Sequence, residues 1–218
     1  MRQILKWIIY PSILTFLISS NHGFAAISAI DIVKKVKSTY QQFKTISVEF
    51  EQKSEWKLAG TSHSITGKMQ IKDEVKFRIE MPDLVTVSDG TNIWNYSKST
   101  NQVIINYVKK SDTDQLPSKL LLQYSERYHA KLIGEEKLNQ TDCYVLELTS
   151  KTGNDYIQQM KIWIAKKNWF TQKVEQIDIH GNKKIFTMNV INTDIPIDDS
   201  VFTYVTPEGV EEIDMRRK

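Results

Sequence analysis

Apolar residues recur at every third or fourth position just after Ser28, then at every second position from Thr45 through most of the remaining chain. Ile30, Val33, Val36, Tyr40 and Phe43 make one stripe, with Lys34, Lys35, Lys37 and Gln41 opposite, which predicts an amphipathic helix. Ser28 and Asp31 stand at its start in the S-x-x-D order of a capping pattern. From Thr45, Ile46, Val48 and Phe50 alternate with Ser47, Glu49 and Glu51, which predicts a half-buried strand. Similar runs follow at residues 64–72, 75–80, 84–87, 92–96, 103–108, 130–133, 143–148, 157–165, 170–179 and 184–191. Turn chemistry separates them at Ala59-Gly60, Ser88-Asp89-Gly90, Gly153-Asn154-Asp155 and His180-Gly181-Asn182. The short connections predict antiparallel pairing between neighbours.

About eleven strands in one sheet cannot stay flat and must curl, which turns the apolar face inward. Two segments are available to cover that face. One is the N-terminal helix. The other is the break at residues 112–128, where Pro117 stands near a helix start among Leu116, Leu120, Leu121, Leu122, Tyr124 and Tyr128. Three adjacent leucines cover most of a short helix's circumference. They describe either a plug packed into the concave face or a lid over a cavity for an apolar ligand, and periodicity alone leaves both open.

The start of the chain changes the compartment. Met1 to Lys6 is short and basic, Trp7 to Ile18 is apolar apart from Tyr10, Pro11, Ser12 and Thr15, and Gly23 and Ala25 are small residues suited to a peptidase. This pattern predicts an export signal at residues 1–25 and one domain at residues 26–218, with no cysteine after the apolar run to carry a lipid. Removal of residues 1–25 from the 218 leaves 193, enough for a substantial core. It also removes Arg2 and Lys6 and no acid, so the formal charge falls from +3 to +1. Near-neutrality argues against nucleic acid as a partner. Cys143 is the sole cysteine, so no internal disulfide staples the fold, and its place in a period-two run predicts a buried small apolar residue.

Candidate catalytic chemistry is sparse. His63, His129 and His180 are far apart and never at metal-ligand spacing, and no G-x-S-x-G, phosphate loop or H-E-x-x-H occurs. No catalytic residue, metal or cofactor is expected. Ser88-Asp89-Gly90 reads as a hairpin turn.

Three segments resemble one family. Val87-Ser88-Asp89-Gly90-Thr91-Asn92-Ile93-Trp94-Asn95-Tyr96 is similar to the VSDG-x-x-(L/I)W-x-Y segment of the outer-membrane lipoprotein carrier (LolA) family. Phe50-Glu51-Gln52 resembles that family's first-strand F-x-Q. The tail from Phe202 through Pro207, Gly209 and Val210 resembles its F-x-F-x-x-P-x-G-V ending. The resemblance implies a mainly β fold with a few helices, an unclosed (half) antiparallel barrel of about eleven strands under a helical lid.

It also implies a non-enzymatic periplasmic chaperone, monomeric, that shuttles acylated lipoproteins. These would come from an inner-membrane ATP-driven extractor and pass to an outer-membrane acceptor. Rival readings are an envelope-stress sensor of mislocalised lipoproteins and a lipid or glycan hydrolase. The expected acyl-chain cavity is lined by Phe50, Met69, Phe77, Trp94, Met160, Ile162 and Ile164, with Val33, Val36, Leu120 and Leu121 from the lid. One departure stands out: Asp73-Glu74 occupies the place of the family's Arg-Pro, whose arginine is associated with latching the lid, and Lys72 and Arg78 are the nearby cations.

Overall fold

A computed structural model describes residues 27–73, 75–108, 128–153 and 155–216. They form helix α1 (Ala29–Tyr40) and strands β1 (Thr45–Trp56), β2 (Thr61–Lys72), β3 (Lys76–Glu80), β4 (Leu84–Asp89), β5 (Asn92–Ser97) and β6 (Gln102–Tyr107). After these come β7 (Tyr128–Leu138), β8 (Thr141–Ser150), β9 (Ile157–Ala165), β10 (Thr171–Asp178), β11 (Lys183–Thr193) and β12 (Glu211–Asp214). All twelve strands belong to one sheet, in the order β12-β6-β5-β4-β3-β2-β1-β11-β10-β9-β8-β7. Every pairing is antiparallel except β12 on β6.

The sheet is curled and unclosed. Ile93 on β5 and Tyr128 on β7 share one buried cluster, although their strands lie near opposite ends of the strand order. A sheet of this width curls, and its apolar face then closes around that one core. The two halves meet through β1 and β11, whose register runs from Ile46 opposite Thr193 to Glu55 opposite Lys183, with a bulge at Glu49/Phe50. This is the predicted half-barrel, with one strand more than the alternation showed.

Helix α1 begins as predicted: the Ser28 hydroxyl accepts the Asp31 N–H at 3.1 Å. Its buried stripe is Ile32, Val33, Val36 and Tyr40, whereas Ile30 is 62% exposed. The helix is therefore rotated slightly from the predicted phase, and Ile32 takes the place assigned to Ile30. The tight β4–β5 turn is closed by Asp89, whose carboxylate accepts the N–H groups of Thr91 and Asn92 at 2.7 Å each. Burial pushes the Asp89 carboxyl up, but these bonds and the Asn92 side chain outweigh it and hold the group below its usual range.

The convex face has its own cover. A 3-10 turn at Asp199–Phe202 lies on β3 and β4 with Phe202 almost fully buried, and the Tyr96 and Tyr204 rings lie 6.0 Å apart. Lys72 Nζ pairs with Asp199 at 2.8 Å, and Arg78 Nη1 reaches the Val201 carbonyl at 3.5 Å. Cys143 is buried with Val145 and Trp163 in a separate cluster, as predicted, and burial raises its thiol pKa. A protonated, buried thiol is a poor nucleophile.

Candidate functional site

The concave face is built by register. Met69 stands opposite Val48 and Ile79, Phe77 opposite Ile71, and Met188 opposite Phe50. Ile162 lies between Leu146 and Val174, and Met160 between Leu148 and Gln176. Because side chains alternate across a strand, these pairs point to one side and merge into one core with α1. Six of the seven residues predicted for the cavity lie in this cluster: Phe50, Met69, Phe77, Met160, Ile162 and Ile164. Val33 and Val36 of α1 lie in it too.

Trp94 does not. It pairs with Val87 and Ile105, and those residues occupy the convex face beneath the C-terminal segment. Ile93 is the residue of that strand that belongs to the concave core. The prediction slipped by one position because β5 buries side chains on both faces, so alternation carried no sign there. Leu120 and Leu121 lie outside the described residues. Lys72 and Arg78 both point to the convex face, where they hold the C-terminal segment, so neither takes up the lid-latching position left by Asp73-Glu74.

Within the concave face lies an apolar slot of about 30 Å³, lined by Phe50, Gln52, Met69, Ile79, Met81, Phe186 and Met188. It has room for about two waters, far short of a pocket for a sizeable ligand. Three of the seven lining residues are methionines, whose unbranched chains rearrange easily. Sequence reasoning missed Ile79, Met81, Phe186 and Met188. Phe186 and Met188 alternate visibly, but their approach to Phe50 depends on the β1–β11 pairing, which no local pattern announces.

Next to the slot, the wall is tight. A Cβ on Gly67 would sit 2.5 Å from Phe50 Cζ and 2.9 Å from the Glu80 carbonyl oxygen, so glycine lets the Phe50 ring lie against β2.

Helix α1 is fastened to the sheet at its last turn. The Tyr40 hydroxyl accepts the Thr171 N–H at 3.2 Å, and its ring meets Phe170 edge-on at 5.3 Å. Phe43 stacks on Phe170 with the ring centroids 5.7 Å apart. Burial drives the Tyr40 phenol up to about 12, against the opposing effect of the Thr171 bond. The Thr171 hydroxyl is buried and has no hydrogen-bond partner among the described residues. Among the described residues the arrangement is an apolar trough with a helix laid in it and one polar fastening at the helix's end. Among the described residues no group of His, Cys, Asp and Glu is placed to hold a metal ion.

The profile of the family described as outer membrane lipoprotein carrier protein LolA matches residues 41–205. An outer-membrane lipoprotein carrier protein of Histophilus somni is 25% identical over 199 residues, which cover 90% of this chain and 94% of that protein. An uncharacterized protein of Methanocaldococcus jannaschii is 27% identical over 191 residues, 84% of this chain and 53% of that protein, so the match spans about half of the archaeal chain. The crystal structure of an uncharacterized conserved protein from Thermus thermophilus superposes with a TM-score of 0.60 at 14% identity, covering 85% of this chain and 98% of that one. At that identity the likeness speaks to the fold alone. The chain belongs to the LolA family of outer-membrane lipoprotein carriers.

Proposed function

We propose that this LolA-family protein carries lipoproteins between the membranes of a bacterial envelope by holding their acyl chains against the concave face. In this reading residues 1–25 direct export, residues 26–218 act as one periplasmic carrier domain, and the acyl chains replace α1 in the trough. An ATP-driven extractor in the inner membrane would load the cargo, and an acceptor at the outer membrane would receive it.

The observation that carries the reading is a continuous apolar trough whose open slot is only about 30 Å³ and is walled partly by methionines. An acyl chain gains about 0.8 kcal/mol per buried CH₂. The slot as it stands cannot take one, so the cover must move aside. Among the described residues the cover is one short helix, α1, fastened by Tyr40. A filled resting face keeps the apolar surface dry in the absence of cargo, and competition between α1 and cargo keeps capture reversible.

The test is to mix the purified mature protein with a labelled acylated lipoprotein and its acyl-free form. A soluble one-to-one complex with the acylated form alone is expected. Equal binding of the two forms would refute the reading.

A further inference from the structure

We propose that the end of the sheet around Trp56 docks on an anionic lipid surface, with the β1–β2 hairpin tip entering the headgroup region. The proposal concerns a surface apart from the trough.

The hairpin extends past β3 and runs level with the end of β11. Pairing of β1 with β2 continues to Trp56 opposite Thr61, whereas β2 pairs with β3 only from Lys68 to Lys72. At the tip, Leu58 is 94% exposed and Trp56 45%. Two neighbouring turns add Tyr156 and Ile179, exposed at 53% and 55%. The three turns are tied together: the Lys57 N–H donates to Asn182 Oδ1 at 3.1 Å, the Ile179 N–H to the Tyr156 carbonyl at 3.0 Å, and the Tyr156 hydroxyl to Asp178 at 3.1 Å. They form one platform with four large apolar side chains facing water, and such clustering marks an interaction surface.

Charge indicates what the platform meets. Glu55 is paired with Lys53 at 2.7 Å and Glu175 with Lys183 at 3.6 Å, while Asp178 keeps its charge and is held by neutral donors, Asn182, Tyr156 and the His180 N–H. Lys57 and Lys184 have no carboxylate partner among the described residues. The platform therefore presents leucine, isoleucine, tryptophan and tyrosine with free lysines beside them. That is the chemistry of a membrane interface, where aromatic rings sit at headgroup depth and cations meet anionic lipid. A protein partner would need a matching hollow for Leu58, whereas a bilayer yields to a protruding side chain.

The platform also adjoins the mouth of the trough. A hollow of about 340 Å³, lined in part by Ser54, Trp56, Tyr156, Gln176 and Lys184, opens there, and Gln52 of the slot donates to Ser54 at 3.2 Å.

The test is co-sedimentation of the mature protein, without cargo, with vesicles of phosphatidylcholine and of phosphatidylcholine mixed with phosphatidylglycerol. Binding to the anionic vesicles that weakens with salt is expected. Leu58→Glu should reduce it about tenfold, as expected for loss of one buried leucine side chain. Lys57→Glu should remove the preference for anionic lipid, and Val205→Glu, at an exposed site elsewhere, should change nothing. Absence of wild-type binding, or binding unaltered by Leu58→Glu, would overturn the proposal. So would a loss of handover to a purified acceptor protein with vesicle binding unchanged, because the hairpin would then be a protein contact. Capture of acylated lipoprotein in solution, measured on the same variants, should persist, so failure of membrane docking and failure of the carrier reading are told apart.

Discussion

Removing one oxygen at Tyr40 distinguishes a lid from a plug. In Tyr40→Phe the ring keeps its contact with Phe170, and only the acceptor for the Thr171 N–H is lost. A lost hydrogen bond costs about 1 kcal/mol, and a buried N–H left without a partner brings the total to about 2 kcal/mol. If α1 is part of a permanent core, the variant is simply less stable. If α1 must leave the trough for cargo, the same energy is removed from the cost of opening. A ligand that binds only the open form then binds tighter by up to that amount, about 5- to 30-fold. The two quantities are measured separately: urea unfolding gives stability, and displacement of a fluorescent acyl probe gives affinity. The expectation is lower stability with higher affinity. Lower stability with unchanged or weaker affinity would refute the lid reasoning.

Other outcomes follow from the same geometry. Tyr40 also makes stability sensitive to alkali: its phenol titrates at 10.0 when unfolded and at about 12 when folded, so its contribution is full below pH 10 and lost as pH rises toward 12. The loss amounts to about 3 kcal/mol, read as the difference in urea midpoint between wild type and Tyr40→Phe across that window. Gly67→Ala would press on the Phe50 ring and the Glu80 carbonyl; a destabilisation of about 1–3 kcal/mol and weaker acyl-probe binding are expected. Trp94→Ala should cost about 2 kcal/mol on the half-buried convex side yet leave probe affinity unchanged.

Local pattern revealed the strands because most of them bury one face only, as in the alternation around Val48 and Phe50. It failed where both faces are covered. In Asn92-Ile93-Trp94-Asn95-Tyr96 the core takes Ile93 while the convex layer takes Trp94 and Tyr96, and only the C-terminal segment, with Phe202 at its centre, explains that layer. Strand β12 was invisible for another reason. Glu211-Glu212-Ile213-Asp214 has one apolar residue, and its place is set by backbone pairing with β6 about a hundred residues earlier. The slot needed the same kind of non-local information, since Phe186 and Met188 join Phe50 only through β1 and β11. The family's arginine latch has no counterpart on the concave side at Lys72 or Arg78. Tyr40 offers a neutral fastening from α1 instead, and nothing in its sequence neighbourhood marks it as different from an ordinary helix aromatic.

A carrier must release what it holds, and the trough suggests how the balance is set. Ile32, Val33, Val36 and Tyr40 are the side chains that α1 buries. At about 1.5–3 kcal/mol each, they amount to roughly 6–12 kcal/mol of burial that cargo would replace in the proposed exchange. A sixteen-carbon acyl chain gains roughly 10 kcal/mol on leaving water. The two are of similar size, so exchange of helix for chain is near neutral, and small changes in the chain should decide occupancy. Shortening the acyl chain by two carbons should weaken binding by about 1.6 kcal/mol, roughly fifteenfold. Tyr40→Phe should shift the whole length series toward tighter binding without changing its slope, because the fastening acts on the helix and not on the chain. The measurement is competition against the fluorescent probe by peptides differing only in acyl length. An affinity independent of length would mean that the chains never enter the trough, and a slope changed by Tyr40→Phe would mean that Tyr40 touches the chain itself.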